Sequence, residues 1–244
     1  MNLNRVMKST LAAKLSSSPS PFAITRPAAT RLAMTLFAAT LLAAVSLNAA
    51  PQPAARPAPV NATATHLEIA PGTRASYRVS EQLAGISFPD DAVGTTSTVS
   101  GSLEILPDGS IDSSKSKIVI GLADLKSDQD MRDGYVRNRT LDTAKYPDAI
   151  FVPRKLTGAP SPLPDPARAT GQSGFQLTGD LTIHGVTKPV TLDGYATYSK
   201  DLVAGHAIAS FTFATFDLKK PTLARLLSVA DKIDLEIDFR FKRN

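Results

Sequence analysis

Three histidines offer this chain its most direct route to chemistry: His66, His184 and His206. His184 follows Asp180 by four residues, and an imidazole beside a carboxylate is the pairing of a general acid/base. The competing reading is a turn histidine that makes a structural hydrogen bond. No two histidines stand at the i, i+2 or i, i+4 spacing of a metal site, so no metal is expected. Arg132 and Asp133 form a charged pair that either meets a ligand or anchors a helix. The carboxylates Asp90-Asp91 and Asp128/Asp130 would serve hydrolysis only by facing each other across a cleft, which spacing alone does not show. Ser127, Ser210 and Ser228 have no histidine partner, and no G-x-S-x-G turn occurs. Cysteine is absent, which excludes disulfides, thiol catalysis and thiolate metal sites.

The elements that must hold these residues read mainly as strands. The segment 177–192, LTGDLTIHGVTKPVTL, alternates Leu177, Leu181 and Ile183 with Thr178, Asp180, Thr182 and His184. After a turn expected at 185–188, Val190 and Leu192 alternate with Thr191 and Asp193. Period-two alternation places one face on an apolar interior and one in water. Further strands are expected at 75–81, 96–106, 117–122, 149–156, 174–184, 190–198, 204–214 and 232–241. Pro89-Asp90-Asp91 and Pro107-Asp108-Gly109 are turn-prone separators. Many short strands at even spacing indicate an antiparallel sandwich or barrel. One stretch departs: 127–143 has Met131, Tyr135 and Val136 at helical spacing and Ser127 as the expected N-cap. It predicts one or two short helices across an open barrel end. The proline-rich stretch 157–174 is expected to be a surface insertion rather than a lid.

Charge is divided unevenly. Arg5, Lys8, Lys14, Arg26 and Arg31 precede any acidic residue and carry the whole net charge of +5. From residue 51 onward, 27 − 5 = 22 basic residues balance 22 acidic ones. Nucleic acid is therefore not an expected partner. The basic stretch leads into an apolar run at 32–47 and then Asn48-Ala49-Ala50, the order of a secretory signal peptide. As a helix that run reaches about 24 Å, short of the ~30 Å of a membrane span. Residues 1–50 are thus expected to be an export signal cleaved near Ala49/Ala50, with translation starting at Met1 or Met7. Residues 51–64 are expected to be a Pro/Ala-rich tether, and 65–244 the folded domain. The expected location is the periplasm; the alternative is an inner-membrane anchor formed by an uncleaved N-terminal segment.

The hairpin G-x-L-T-I-H-G-V-T-K-x-V-x-L at 179–192 resembles the signature of the YceI-like family. Two further landmarks precede it in order: Val99-x-Gly101-x-Leu103, and Leu125-Lys126-Ser127 followed by Arg132-Asp133, Leu141 and Tyr146-Pro147-x-Ala149-x-Phe151. Members often carry a histidine late in the first strand region and another after the Arg-Asp pair; those stretches here read Ile86-Ser87-Phe88 and Gly134-Tyr135. The resemblance implies an all-β fold with one or two short helices, an antiparallel eight-stranded lipocalin-like β-barrel. It also implies a long apolar tunnel for a polyisoprenoid or similar lipid, held non-covalently, with no other cofactor.

The inward set agrees with an apolar ligand: Phe175, Leu177, Leu181, Ile183, Val190, Leu192, Phe211, Phe213, Leu235, Ile237 and Phe239, with no convergent polar group among them. Arg132, Asp133 and His184 are the candidate head-group contacts. Each buried methylene is worth ~0.8 kcal/mol, so ten give about 8 kcal/mol before ordering costs, roughly micromolar binding. The expected function is sequestration or carriage of a polyprenyl or quinone chain without catalysis, by a monomer or homodimer that meets at most a transient envelope partner. Two rivals stand beside it: a packed barrel acting as an interaction module, and a hydrolase or isomerase using His184 and Asp180.

Overall fold

The computed structural model describes residues 63–85, 87–160, 163, 171–222, 224 and 226–244. The export-signal reading and nearly all of the tether fall on residues 1–62, outside the described residues. The strands are β1 (Thr65–Ile69), β2 (Arg74–Leu83), β3 (Asp90–Thr96), β4 (Val99–Ile105), β5 (Lys117–Gly121), β6 (Asp148–Thr157), β7 (Gln172–Ile183), β8 (Val186–Tyr198), β9 (Leu202–Thr212), β10 (Leu226–Val229) and β11 (Lys232–Arg243).

These strands make a closed, eight-stranded antiparallel barrel, because three of the staves are each built from two strands. β1 and β2 both lie along β11, with Leu67 opposite Arg243 and Arg74 opposite Asp238. β4 pairs with β1, and β3 with β2. β10 meets β2 at Glu81–Leu83, beyond the point where β11 leaves it. The ring then runs through β4, β5, β6, β7, β8, β9 and back to β11. Closure removes sheet edges that would otherwise pair with other chains. At the kink between β1 and β2, Thr73 is 2% exposed. Its hydroxyl accepts the Arg240 N–H at 3.0 Å and donates to the Ala70 carbonyl at 2.9 Å, filling the gap left in the ladder.

Several local expectations are corrected. Residues 96–106 are not one strand: Thr96 ends β3 and β4 begins at Val99. Asp90 and Asp91 are strand residues, since Asp91 points outward to Arg78 at 3.1 Å and needs no turn. The 185–188 turn is really the pair His184-Gly185, both left-handed at φ 52° and 78°, with Ile183 opposite Val186. Two consecutive left-handed residues make the type I′ turn whose twist suits a hairpin. Val186, Thr187 and Lys188 therefore belong to β8, where Thr187 and Thr182 share a 2.8 Å hydroxyl contact. β9 stops at Thr212, and Phe213–Phe216 forms a 3₁₀ turn that buries Phe216 completely.

Helix α1 (Asp130–Tyr135) starts after Gln129 and continues as a single π-helical turn, Val136–Thr140. Ser127 is not its N-cap. Instead Ser127 donates its hydroxyl to the Asp133 carboxylate at 2.7 Å and its N–H at 2.8 Å. Asp133 is 4% exposed, so this side chain ties the incoming loop to the helix. The long insertion does not lie wholly on the surface. Leu163 is buried within the opposite end of the barrel, and Ala159 lines the same space. An apolar side chain there gains burial where the barrel would otherwise stand open.

Candidate functional site: an apolar lumen with one polar end

Among the described residues, the barrel interior shows a cavity of about 840 Å³ and a smaller one of about 90 Å³. Ile120 and Leu235 line both, so the cavities meet at those two side chains. The larger chamber lies under α1 and the π-turn; the smaller runs toward Leu163. Aromatic rings narrow the smaller one: Phe175 meets Phe239 edge-on at 5.8 Å, and Phe239 lies 5.6 Å from Phe241.

All of the sequence-selected inward residues face this lumen. Phe175, Leu177, Leu181, Val190, Leu192, Ile237 and Phe239 line the small cavity, and Ile183, Phe211 and Phe213 the large one; Leu235 lines both. Phe213 does so from the 3₁₀ turn rather than from a strand. The interior is not solidly packed, as the interaction-module reading required.

The expectation of no convergent polar group is corrected at the chamber end. β2 turns Ala75, Tyr77, Val79, Glu81 and Leu83 inward, and all five line the large chamber. Glu81 is met there by Arg132 of α1 at 2.5 Å, with side chains only 11% and 16% exposed. Arg132 also binds the Asp128 carboxylate and donates to the Ser127 hydroxyl at 3.3 Å. Burial lowers the Arg132 pKa, but its bonds to Glu81 and Asp128 outweigh this and hold the guanidinium above its ordinary range. Its hydrogen bond in turn pulls Asp128 below the usual carboxylate range. Tyr77 stands next to this group. Burial is the main reason its phenol is pushed up to about 12, partly opposed by Arg132. The ring lies flat over Gly94 across the ladder, where a Cβ would come within 2.2 Å of Tyr77 Cε1.

Of the three head-group candidates, Arg132 alone lines the chamber. Asp133 is committed to Ser127. His184 packs its ring edge-on against Tyr146 at 4.8 Å in the hairpin turn. The proposed acid/base pair is not assembled, because Asp180 binds Arg154 at 2.7 Å while His184 serves the turn. His66 and His206 sit in single pairs with Glu104 and Asp238, each at 2.9 Å. Among the described residues no three metal-ligating side chains gather. Sequence reasoning missed Tyr77 and Glu81 as lumen residues. The signal was present in Arg78 and Ser80, polar residues whose alternation with Tyr77, Val79 and Glu81 puts the latter on the other face.

The closed barrel with an apolar interior defines a lipocalin-like fold class. The chain belongs to the YceI-like domain family, whose sequence model matches residues 69–241. It is 30% identical over 132 residues to a UPF0312 protein of Pseudomonas savastanoi pv. phaseolicola, covering 52% of this chain and 62% of the relative. A UPF0312 protein of Vibrio parahaemolyticus is 31% identical over 123 residues, 50% of this chain and 57% of that one. The chain thus spans roughly six-tenths of the length of these curated relatives. Among solved structures, a polyisoprenoid binding domain from Saccharophagus degradans, implicated in plant cell wall breakdown, superposes with a TM-score of 0.54. That match covers 73% of this chain and 98% of the other at 15% identity, and speaks for the fold alone.

Proposed function

We propose that this protein is an exported, non-catalytic carrier that holds an isoprenoid-type chain, polyprenyl or quinone, inside the barrel. The observation that carries the reading is the lumen itself: about 840 Å³ of space, with a smaller apolar cavity beside it that shares Ile120 and Leu235. An apolar lumen of this size lacks the side-chain packing of a solid core, and an apolar chain supplies it. The description of the Saccharophagus degradans neighbour as polyisoprenoid-binding supports the ligand class. The basic, apolar and small-residue order of residues 1–50 supports export to the periplasm.

Adding geranylgeraniol, a C20 isoprenoid alcohol, to the purified chain tests this. A ligand bound to the native state alone stabilises it by about 2.7 kcal/mol at a hundred times Kd, so the melting temperature should climb with lipid concentration. A melting temperature indifferent to lipid would remove the reading.

A further inference from the structure

We propose that the chamber end of the lumen selects a neutral, hydrogen-bond-accepting head group over a phosphate or carboxylate, with Tyr77 as the donor. The inference rests on the lipid-carrier reading and specifies which lipids it admits.

Charge is the first observation. Among the described residues lining the large chamber, Arg132 is the single cation and Glu81 the single anion. Arg132 is already engaged on both terminal nitrogens, by Glu81 and by Asp128 with Ser127. Asp133 adds a third carboxylate behind it through the shared Ser127 hydroxyl. An anionic head group would have to displace one of these carboxylates or lie beside Glu81. Either course brings like charges together where burial weakens the screening by water.

The second observation is Tyr77. It faces the chamber from β2, and its hydroxyl makes no hydrogen bond within the protein among the described residues. The phenol is half-buried, with its hydroxyl open to the chamber, and a donor placed there gains by meeting an acceptor on a ligand that displaces water. It stays protonated far above neutral pH, so it offers a proton rather than a charge. Its ring is fixed over Gly94, which keeps the hydroxyl oriented. A carbonyl, ether or alcohol oxygen on the end of an apolar chain fits this donor. The strand and helix between them therefore build a head-group site that is polar and already neutralised.

The test compares geranylgeraniol with geranylgeranyl phosphate, which share one chain and differ in head group, by displacement of a fluorescent apolar probe from the full chain. The alcohol should bind about tenfold tighter or better. Tyr77→Phe keeps the ring over Gly94 and should weaken the alcohol about fivefold, the size of one neutral hydrogen bond, while leaving the phosphate nearly unchanged. Glu81→Gln, which frees Arg132 of one carboxylate, should narrow the gap by strengthening phosphate binding. Phosphate binding as tight as alcohol binding, or equal loss of both lipids in Tyr77→Phe, would overturn the head-group inference and leave carriage standing. Uptake of neither lipid would overturn both.

Discussion

Two residues define what is particular about this barrel. Tyr77 puts a phenol into an apolar space, and burial raises its pKa from 10.0 to about 12. Tyr77 should therefore titrate late, near pH 12, in an ultraviolet pH titration, and Tyr77→Phe should delete that late step. The sign for stability follows. With the folded value above the unfolded one, the protonated phenol's contribution is intact below about pH 10 and is lost as pH rises toward 12. A late step that persists in Tyr77→Phe would assign it elsewhere. Gly185 is the second. It carries φ 78°, and a Cβ there would meet the Tyr146 ring at 2.8 Å. Gly185→Ala should cost about 1–2 kcal/mol in denaturant unfolding; an unchanged midpoint would refute the turn geometry. The glycine was legible as a turn from sequence. Its ring neighbour was not, because Tyr146 lies far back in the chain.

At the scale of elements, α1 acts through Arg132. This side chain reaches from the helix into the barrel to neutralise Glu81, at low exposure on both sides. Removing one partner leaves the other buried and unpaired, so Arg132→Met should destabilise by about 2 kcal/mol. Glu81→Leu added to it should recover most of that loss, a non-additivity that a double-mutant cycle reads directly. Strictly additive losses would show that the pair is not coupled. The alternation in β7, β8, β9 and β11 was plain in the sequence because one face is apolar throughout. The split staves were not. β1 is short, β3 begins with two aspartates, and β10 lies beside a break; each lacks the run of alternation that marks a strand. The helix was legible as to place, whereas its start was misread because Ser127 bonds to Asp133 instead of capping.

Across the whole molecule, the lumen is a property of closure. The apolar face of each strand was legible, but whether those faces pack solid or leave space depends on how eight staves tilt and stagger. Leu235 lines both cavities and stands at the boundary between them. Leu235→Trp should fill space at that boundary and weaken binding of a chain long enough to enter both cavities about tenfold or more, the loss of two buried methylenes, while a C10 chain binds nearly as before. Equal binding of both chains by the variant would show that the smaller cavity takes no ligand. The Tyr77–Arg132–Glu81 group was hidden from sequence for a related reason, since it joins β2 to a helix that only barrel closure brings over it.

The proposed function stands or falls on whether this barrel holds a lipid. The most direct measurement is native mass spectrometry of the protein expressed with its own N-terminal segment and purified without detergent, alongside denaturing mass spectrometry of the same sample. Lipid carriage gives a native mass above that of the denatured chain by the mass of one isoprenoid-type lipid, which organic extraction recovers. Identical native and denatured masses, together with no adduct after titration with geranylgeraniol, would contradict it.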